Sequence, residues 1–166
     1  MRNKPTGGLH EEICLEANEE WELYHNSFSL CSKKVRVCLA EAGLPYRAHH
    51  INLIETGSYE TCSPAFLEIN PAGTVPVLVH NGHPIYESHE QIRYMALRGG
   101  AAAARLFPEK TELRELVSQW TDRASLVGDP IANIAGYAGN CATGLTLPLF
   151  AAMVQYIPNR EILKGL

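Results

Sequence analysis

The stretch "VPVLVHNGHPIYES", residues 75–88, restricts the fold more than any other part of the chain. Two short runs flank Asn81-Gly82. That dipeptide supplies the two left-handed residues of a tight antiparallel hairpin turn. Directly after the hairpin, Ser88 and Gln91 have the spacing of a capping box, which predicts a helix through about Leu97. The middle of the chain is thus committed to two antiparallel strands followed by a helix.

Upstream, "WELYHNSF" (21–28) alternates Trp21, Leu23 and His25 against Glu22, Tyr24 and Asn26, as a strand does. Val35, Cys38, Leu39 and Ala42 then recur at helical spacing until Gly43 and Pro45 end the run. This predicts an amphipathic helix capped by Ser32, in preference to Ser29. "YRAHHINL" (46–53) reads as a second strand. "SPAFLEIN" (63–70) reads as a short helix with Ser63 as cap, Pro64 in the first helical position and Asn70-Pro71 as its stop. Strands alternating with helices predict an α/β unit. Its first half is a right-handed parallel crossover and its last two strands are antiparallel.

The remainder is less regular. Residues 1–20 are polar and predict a loose leader. Residues 21–98 carry the α/β unit, and "GGAAAARLFPEK" (99–110) is a linker by composition. Thr111 then caps a helix with Leu113, Leu116, Val117, Trp120, Ala124 and Val127 on one face, opening a helical region over 111–166. Residues 131–144 are rich in small side chains and ambiguous, and the last apolar segment is interrupted by Pro148 and Pro158.

A net charge of −4 and the absence of a long basic run argue against nucleic acid as partner. No stretch has the pattern of a secretion signal, and "GLTLPLFAAMVQYI" is too short to span a bilayer. Five cysteines at irregular spacing make no disulfide framework, and without a C-x-x-C pair no metal site is expected. A reducing, cytoplasmic setting fits this usage. His80 and His83 flank the hairpin turn and should face each other as an exposed, solvated pair. His49 and His50 should point to opposite sheet faces.

"NSFSLCSKKVRVCLAEAG" (26–43) carries the candidate chemistry. Cys31 falls at the start of the first helix, with Lys33, Lys34 and Arg36 close by. A helix N-terminus and neighbouring cations favour a cysteine thiolate. The competing reading is a packed cysteine that happens to sit at a helix start. Cys38, two turns on, is read as core.

In order, "LYHNSFSLCSKKVRVCLAEAGLPYR", "NPAGTVPVLVHNGHPIYES" and an alanine-rich linker with following helices resemble a cytosolic glutathione transferase. The likeness is close over 21–98 and loose over 111–127. The S-x-C-S stretch is similar to the zeta class and to reductive dehalogenases, and its surroundings to the ganglioside-induced differentiation-associated proteins. The resemblance implies a thioredoxin-like domain followed by an all-α domain, here incomplete because the chain ends soon after the first helix of that domain. It implies glutathione as co-substrate, a small-molecule electrophile as second substrate, and a homodimer as an assembly open to the chain.

It also implies roles for residues. Ser29 would hydrogen-bond the glutathione sulfur, or Cys31 would be the working thiol. The bond before Pro76 would be cis, with the Val75 backbone pairing to the ligand backbone. Glu87 would face the γ-glutamyl ammonium and Ser88 would hold the γ-glutamyl carboxylate. Three functions follow: a glutathione transferase, a non-enzymatic glutathione-binding or regulatory module, and a thiol reductase or dehalogenase using Cys31.

Overall fold

The computed structural model describes residues 5–53, 60–108 and 110–124. The element order is β1 (Gly8–Leu9), β2 (Trp21–His25), α1 (Leu30–Ala42), β3 (Arg47–His50), a 3-10 turn (Glu60–Cys62), α2 (Pro64–Ile69), β4 (Val77–His80), β5 (His83–Tyr86), α3 (Ser88–Arg98), α4 (Gly100–Ala104) and α5 (Thr111–Ala124). The strands form one mixed sheet in the order β1-β5-β4-β2-β3. β2 and β3 are parallel, with His25 opposite His50, and the other pairings are antiparallel.

The alternation in the strands divides two apolar layers. Trp21, Leu23, Leu78 and Ile85 face one side, where Val35 and Leu39 of α1 and Met95 of α3 cover them. Val77, Val79 and Tyr86 face the other, with Ile51 and Phe66 of α2. Each fully buried side chain of this size contributes about 1.5–3 kcal/mol. Asn81 (φ 51) and Gly82 (φ 84) make the hairpin turn with both central residues left-handed, as the dipeptide predicts. Gly43 (φ 64) ends α1 in the left-handed conformation.

Several local expectations are corrected. The cap of α1 is Ser29, whose Oγ accepts the Ser32 N–H at 3.2 Å. Ser32 is buried one turn in, and its Oγ accepts the Asn26 N–H at 3.3 Å. The capping box is absent. Glu87 holds the cap position of α3 without a side-chain cap bond, and Ser88 is already helical. Gln91 is fully buried and donates from Nε2 to the carbonyls of Pro76 and Ile85, both at 2.8 Å. Buried sheet carbonyls need a donor more than a solvated helix start does, so the amide turns inward.

The leader is not loose along its described part. Gly8 and Leu9 pair with Tyr86 and Ile85, and the Leu15 N–H donates to Gly82 O at 2.8 Å. β5 presents an unpaired edge, and this segment covers it. The stretch expected to be a plain linker contains α4. The continuation of the α5 face to Val127 lies outside the described residues, as do the segments beyond it. Leu113, Leu116 and Trp120 of that face are exposed.

His80 and His83 are opposed across the turn but are not a solvated pair. Both are half-buried, His80 bonded to the Tyr94 hydroxyl and His83 donating to Ile13 O, each at 2.8 Å. His49 stacks on Tyr24 and pairs with the buried carboxylate of Glu22 at 2.5 Å, whereas His50 lies edge-on to His25. Among the described residues no group of three or more potential ligands could hold a metal ion. None of the described helices is long and apolar enough to cross a membrane.

His25 gives a pH prediction. Burial, then Arg36, His50 and His49, push its imidazole below the ordinary value, and burial does the same to His89. A base depressed in the fold binds its proton more readily when unfolded. Stability from His25 is therefore fully present above the unfolded value of about 6.5 and is lost as pH falls through the lower folded value. His10 is shifted the other way: although burial lowers its pKa, its bonds to Thr6 and Glu12 raise it above the ordinary value. Its contribution is lost as pH rises, so a His25→Gln comparison is needed to isolate the site. Urea unfolding at pH ~7.5 and ~5.5 should reveal a loss of stability at the lower pH that shrinks in His25→Gln. An equal loss in both proteins would assign it elsewhere.

Candidate functional site

Three connections reach one edge of the sheet because β4 is antiparallel to both of its neighbours. The C-terminal end of β2 lies beside the start of β4 through Tyr24 and Val77. The start of β4 lies beside the end of β5 through Leu78 and Ile85. The β2–α1 turn, the Val75-Pro76 segment and the β5–α3 turn therefore converge, and α1 and α3 both begin there. A cleft of about 210 Å³ opens at this place, lined by Cys31, Val75, Pro76, Tyr86, Glu87 and Ser88 together with Pro5, Asn70, Ala72 and Thr74.

Each connection is shaped by a buried polar side chain. Asn26 folds the β2–α1 turn. Its Oδ1 accepts the N–H groups of Phe28 at 2.8 Å and Ser29 at 3.3 Å, and its Nδ2 donates to Ile51 O at 2.9 Å. Cys31 follows in the first turn of α1, half-buried and without a disulfide. Asn70 shapes the approach to Pro76. Its Oδ1 accepts the Ala72 N–H at 3.0 Å and its Nδ2 donates to Thr74 O at 2.8 Å. The Val75-Pro76 bond is cis. Gln91 ties the third connection to the second, because its amide reaches both Pro76 and Ile85. Glu87 sits at φ 64 and ψ 120, a conformation that a residue with a side chain seldom adopts. Strained backbone of this kind costs about 1–3 kcal/mol and clusters at ligand-binding sites.

Of the residues proposed from the sequence, Cys31, Val75, Pro76, Glu87 and Ser88 line the one cleft. Ser29 is not among the lining residues, and its hydroxyl serves as the cap of α1. Tyr86 was not singled out by sequence. Its hydroxyl donates to Ile69 O at 2.7 Å, and burial, with Glu12 nearby, pushes the phenol up to about 12. It stays protonated at neutral pH and shapes the wall rather than acting as a base. Asn26, Asn70 and Gln91 were also overlooked as builders of the site. The available signal was their position, one polar amide close to each connection.

The other described thiols are differently placed. Burial pushes the thiols of Cys38 and Cys62 up. Cys62, just before the Ser63 cap of α2, is buried and closed to solvent. Cys14 is exposed in the segment along β5. Cys141 lies outside the described residues.

Residues 28–98 match the glutathione S-transferase N-terminal domain family. The glutathione S-transferase TCHQD of Arabidopsis thaliana is 30% identical over 106 residues, covering 61% of this chain and 39% of the relative. A maleylacetoacetate isomerase of Pseudomonas aeruginosa is 40% identical over 78 residues, covering 46% of this chain and 36% of the relative. The chain thus spans well under half of either relative. The theta class glutathione S-transferase of Xanthomonas axonopodis pv. citri, solved with glutathione bound, superposes with a TM-score of 0.55 at 27% identity, over 63% of this chain and 48% of that one. The thioredoxin-like arrangement of strands and helices and these matches have one meaning: residues 28–98 form an N-terminal domain of the cytosolic glutathione transferase type.

Proposed function

We propose that the protein is a glutathione transferase-like enzyme that binds glutathione in the cleft at the sheet edge and directs its sulfur at an electrophile. The observation that carries this is the convergence of Cys31, Val75, Pro76, Glu87 and Ser88 on one cleft. The Val75 backbone would pair with the cysteinyl backbone of glutathione as an added strand. Ser88 opens α3, where unpaired N–H groups and the positive end of the helix dipole suit the γ-glutamyl carboxylate. Glu87 would face the ammonium of the same group. A mainly apolar cleft of about 420 Å³ between α3 and α5, with Ile92, Phe107, Leu116 and Trp120 on its wall beside Lys34, His89 and Arg93, suits a hydrophobic second substrate that carries a polar or anionic group. A cytoplasmic location fits the cysteine usage, and a homodimer could cover the exposed face of α5.

Binding of glutathione, measured by calorimetry, tests the placement. Ser88→Ala and Glu87→Gln should each weaken it by about 1.5–3 kcal/mol, the worth of a hydrogen bond to a charged group. Unchanged affinity in both would mean that the γ-glutamyl group lies elsewhere. Retained glutathione affinity with no turnover of any electrophile would instead support a non-enzymatic binding module.

A second reading has an observation of its own in favour. Cys31 lines the cleft and the Ser29 hydroxyl is engaged in capping. This supports thiol exchange. The Cys31 thiolate would attack the glutathione sulfur of a glutathionylated disulfide, forming a Cys31–glutathione disulfide and expelling the other sulfur as a thiolate. The thiolate of a second glutathione would then attack that bond, leaving oxidised glutathione and a free Cys31.

A further inference from the structure

The N-terminal segment does more than cover a sheet edge. Beyond β1 towards the N-terminus it runs past the β5–α3 turn, and Pro5 becomes part of the cleft wall. Gly7 lies so close to that turn that a Cβ built on it would meet Glu87 Cγ at 3.1 Å and Glu90 Cγ at 3.3 Å. The segment is fixed at several points. Gly8 and Leu9 pair with Tyr86 and Ile85, and the His10 N–H donates to Pro84 O at 3.0 Å. Further along, His83 donates to Ile13 O, and Leu15 packs with the apolar layer around Phe66. Gly82 lets the strap come close: a Cβ there would sit 2.9 Å from Leu15 O.

His10 holds the part of the segment nearest the cleft. Its ring packs on Tyr86 with centroids 4.9 Å apart, its Nε2 lies 2.9 Å from Thr6 O, and its Nδ1 lies 2.6 Å from Glu12 Oε1. One side chain therefore joins the residue beside Pro5 to a tyrosine of the cleft. This links the position of the strap to the shape of the cleft at Glu87 and Ser88.

We infer that residues 5–10 form a fourth wall over the γ-glutamyl end of the cleft and select for γ-glutamyl thiols whose terminal amine carries no substituent. The inference rests on the proposed placement of the γ-glutamyl group at Glu87 and Ser88. A group attached to the amine that faces Glu87 runs into Pro5–Gly7. A group attached to sulfur points towards Cys31 and away from the strap. The recognition is one of shape, because a substituent of a few methylenes finds the space already filled by backbone.

The test uses glutathione, S-propylglutathione and glutathione bearing a propyl group on its γ-glutamyl nitrogen, which keeps the positive charge. Affinities are measured on the full chain and on His10→Ala and Pro5→Gly. The full chain should bind the N-propyl compound at least about tenfold more weakly than the S-propyl compound, the size of discrimination that a few methylenes give in a closed site. Both variants should narrow that ratio at least severalfold, and a ratio cancels any general loss of affinity. Pro5→Gly leaves the β1–β5 pairing intact, so it serves if His10→Ala perturbs folding. Equal affinities for the two propyl compounds in the full chain, or a ratio unmoved in both variants, would overturn the inference while leaving glutathione binding in place. Absence of glutathione binding by the full chain would instead remove the reading on which it rests.

Discussion

Gln91→Leu should lower the stability of the chain by about 1–3 kcal/mol, because it removes a buried amide that donates to two carbonyls without opening a large cavity. Leucine is close to glutamine in volume, so the change removes the donor together with the buried Oε1, which has no hydrogen-bond partner and whose loss offsets part of the cost. The carbonyls of Pro76 and Ile85 would lose a partner that each now has at 2.8 Å. The side chain is completely buried, so water cannot replace it without rearrangement. Urea unfolding at neutral pH measures the loss. The same substitution should weaken glutathione binding beyond the loss of stability, because Gln91 links the Pro76 wall to the first turn of α3. A near-neutral result would mean that these carbonyls find other donors. A loss of stability with unchanged affinity in the folded fraction would make Gln91 a core residue and nothing more.

Cys31→Ser should reduce glutathione-dependent thiol exchange by about a thousandfold or more, the scale seen when a nucleophile is removed. Ser29→Ala should cost about 1 kcal/mol of stability as the loss of a helix cap, with a smaller effect on exchange. The opposite pattern, a Cys31→Ser protein that conjugates fully beside an inactive Ser29→Ala, would make this a serine-type transferase. Limited alkylation followed by peptide mass analysis ranks the thiols independently. Cys31 lies in the first turn of a helix and on a cleft wall, where a reagent that enters the cleft can reach it. Burial disfavours the thiolates of Cys38 and Cys62. Cys14, exposed, is the internal reference. If Cys31 reacts no faster than Cys14 at pH ~6.5, the activated-thiol reading fails.

What the sequence determined by itself is local. Asn81-Gly82 fixed the hairpin because few residues enter the left-handed region, and two adjacent ones leave one kind of turn. The spacing of Val35 and Leu39 fixed the buried stripe of α1, since a period of 3.6 belongs to no other element. Ser63-Pro64 marked the start of α2 for the same local reason.

Tertiary structure decided wherever two groups competed for one partner. By sequence Ser32 is the favoured cap of α1 and Ser29 the second choice. Burial of Ser32 against the Asn26 turn left the cap to Ser29. Ser88 and Gln91 have capping-box spacing, but Gln91 meets sheet carbonyls that no other side chain in the described residues is seen to serve. Residues 5–20 carry no strand signal, and the open edge of β5, with the Glu22 carboxylate and the hairpin turn, gives their backbone its partners. The polar composition that marked them as loose describes their side chains, whereas backbone hydrogen bonds to another element hold them in place. The cleft itself is of this second kind. Cys31, Val75 and Glu87 are far apart in the chain, and antiparallel pairing of β4 between β2 and β5 brings their connections to one edge.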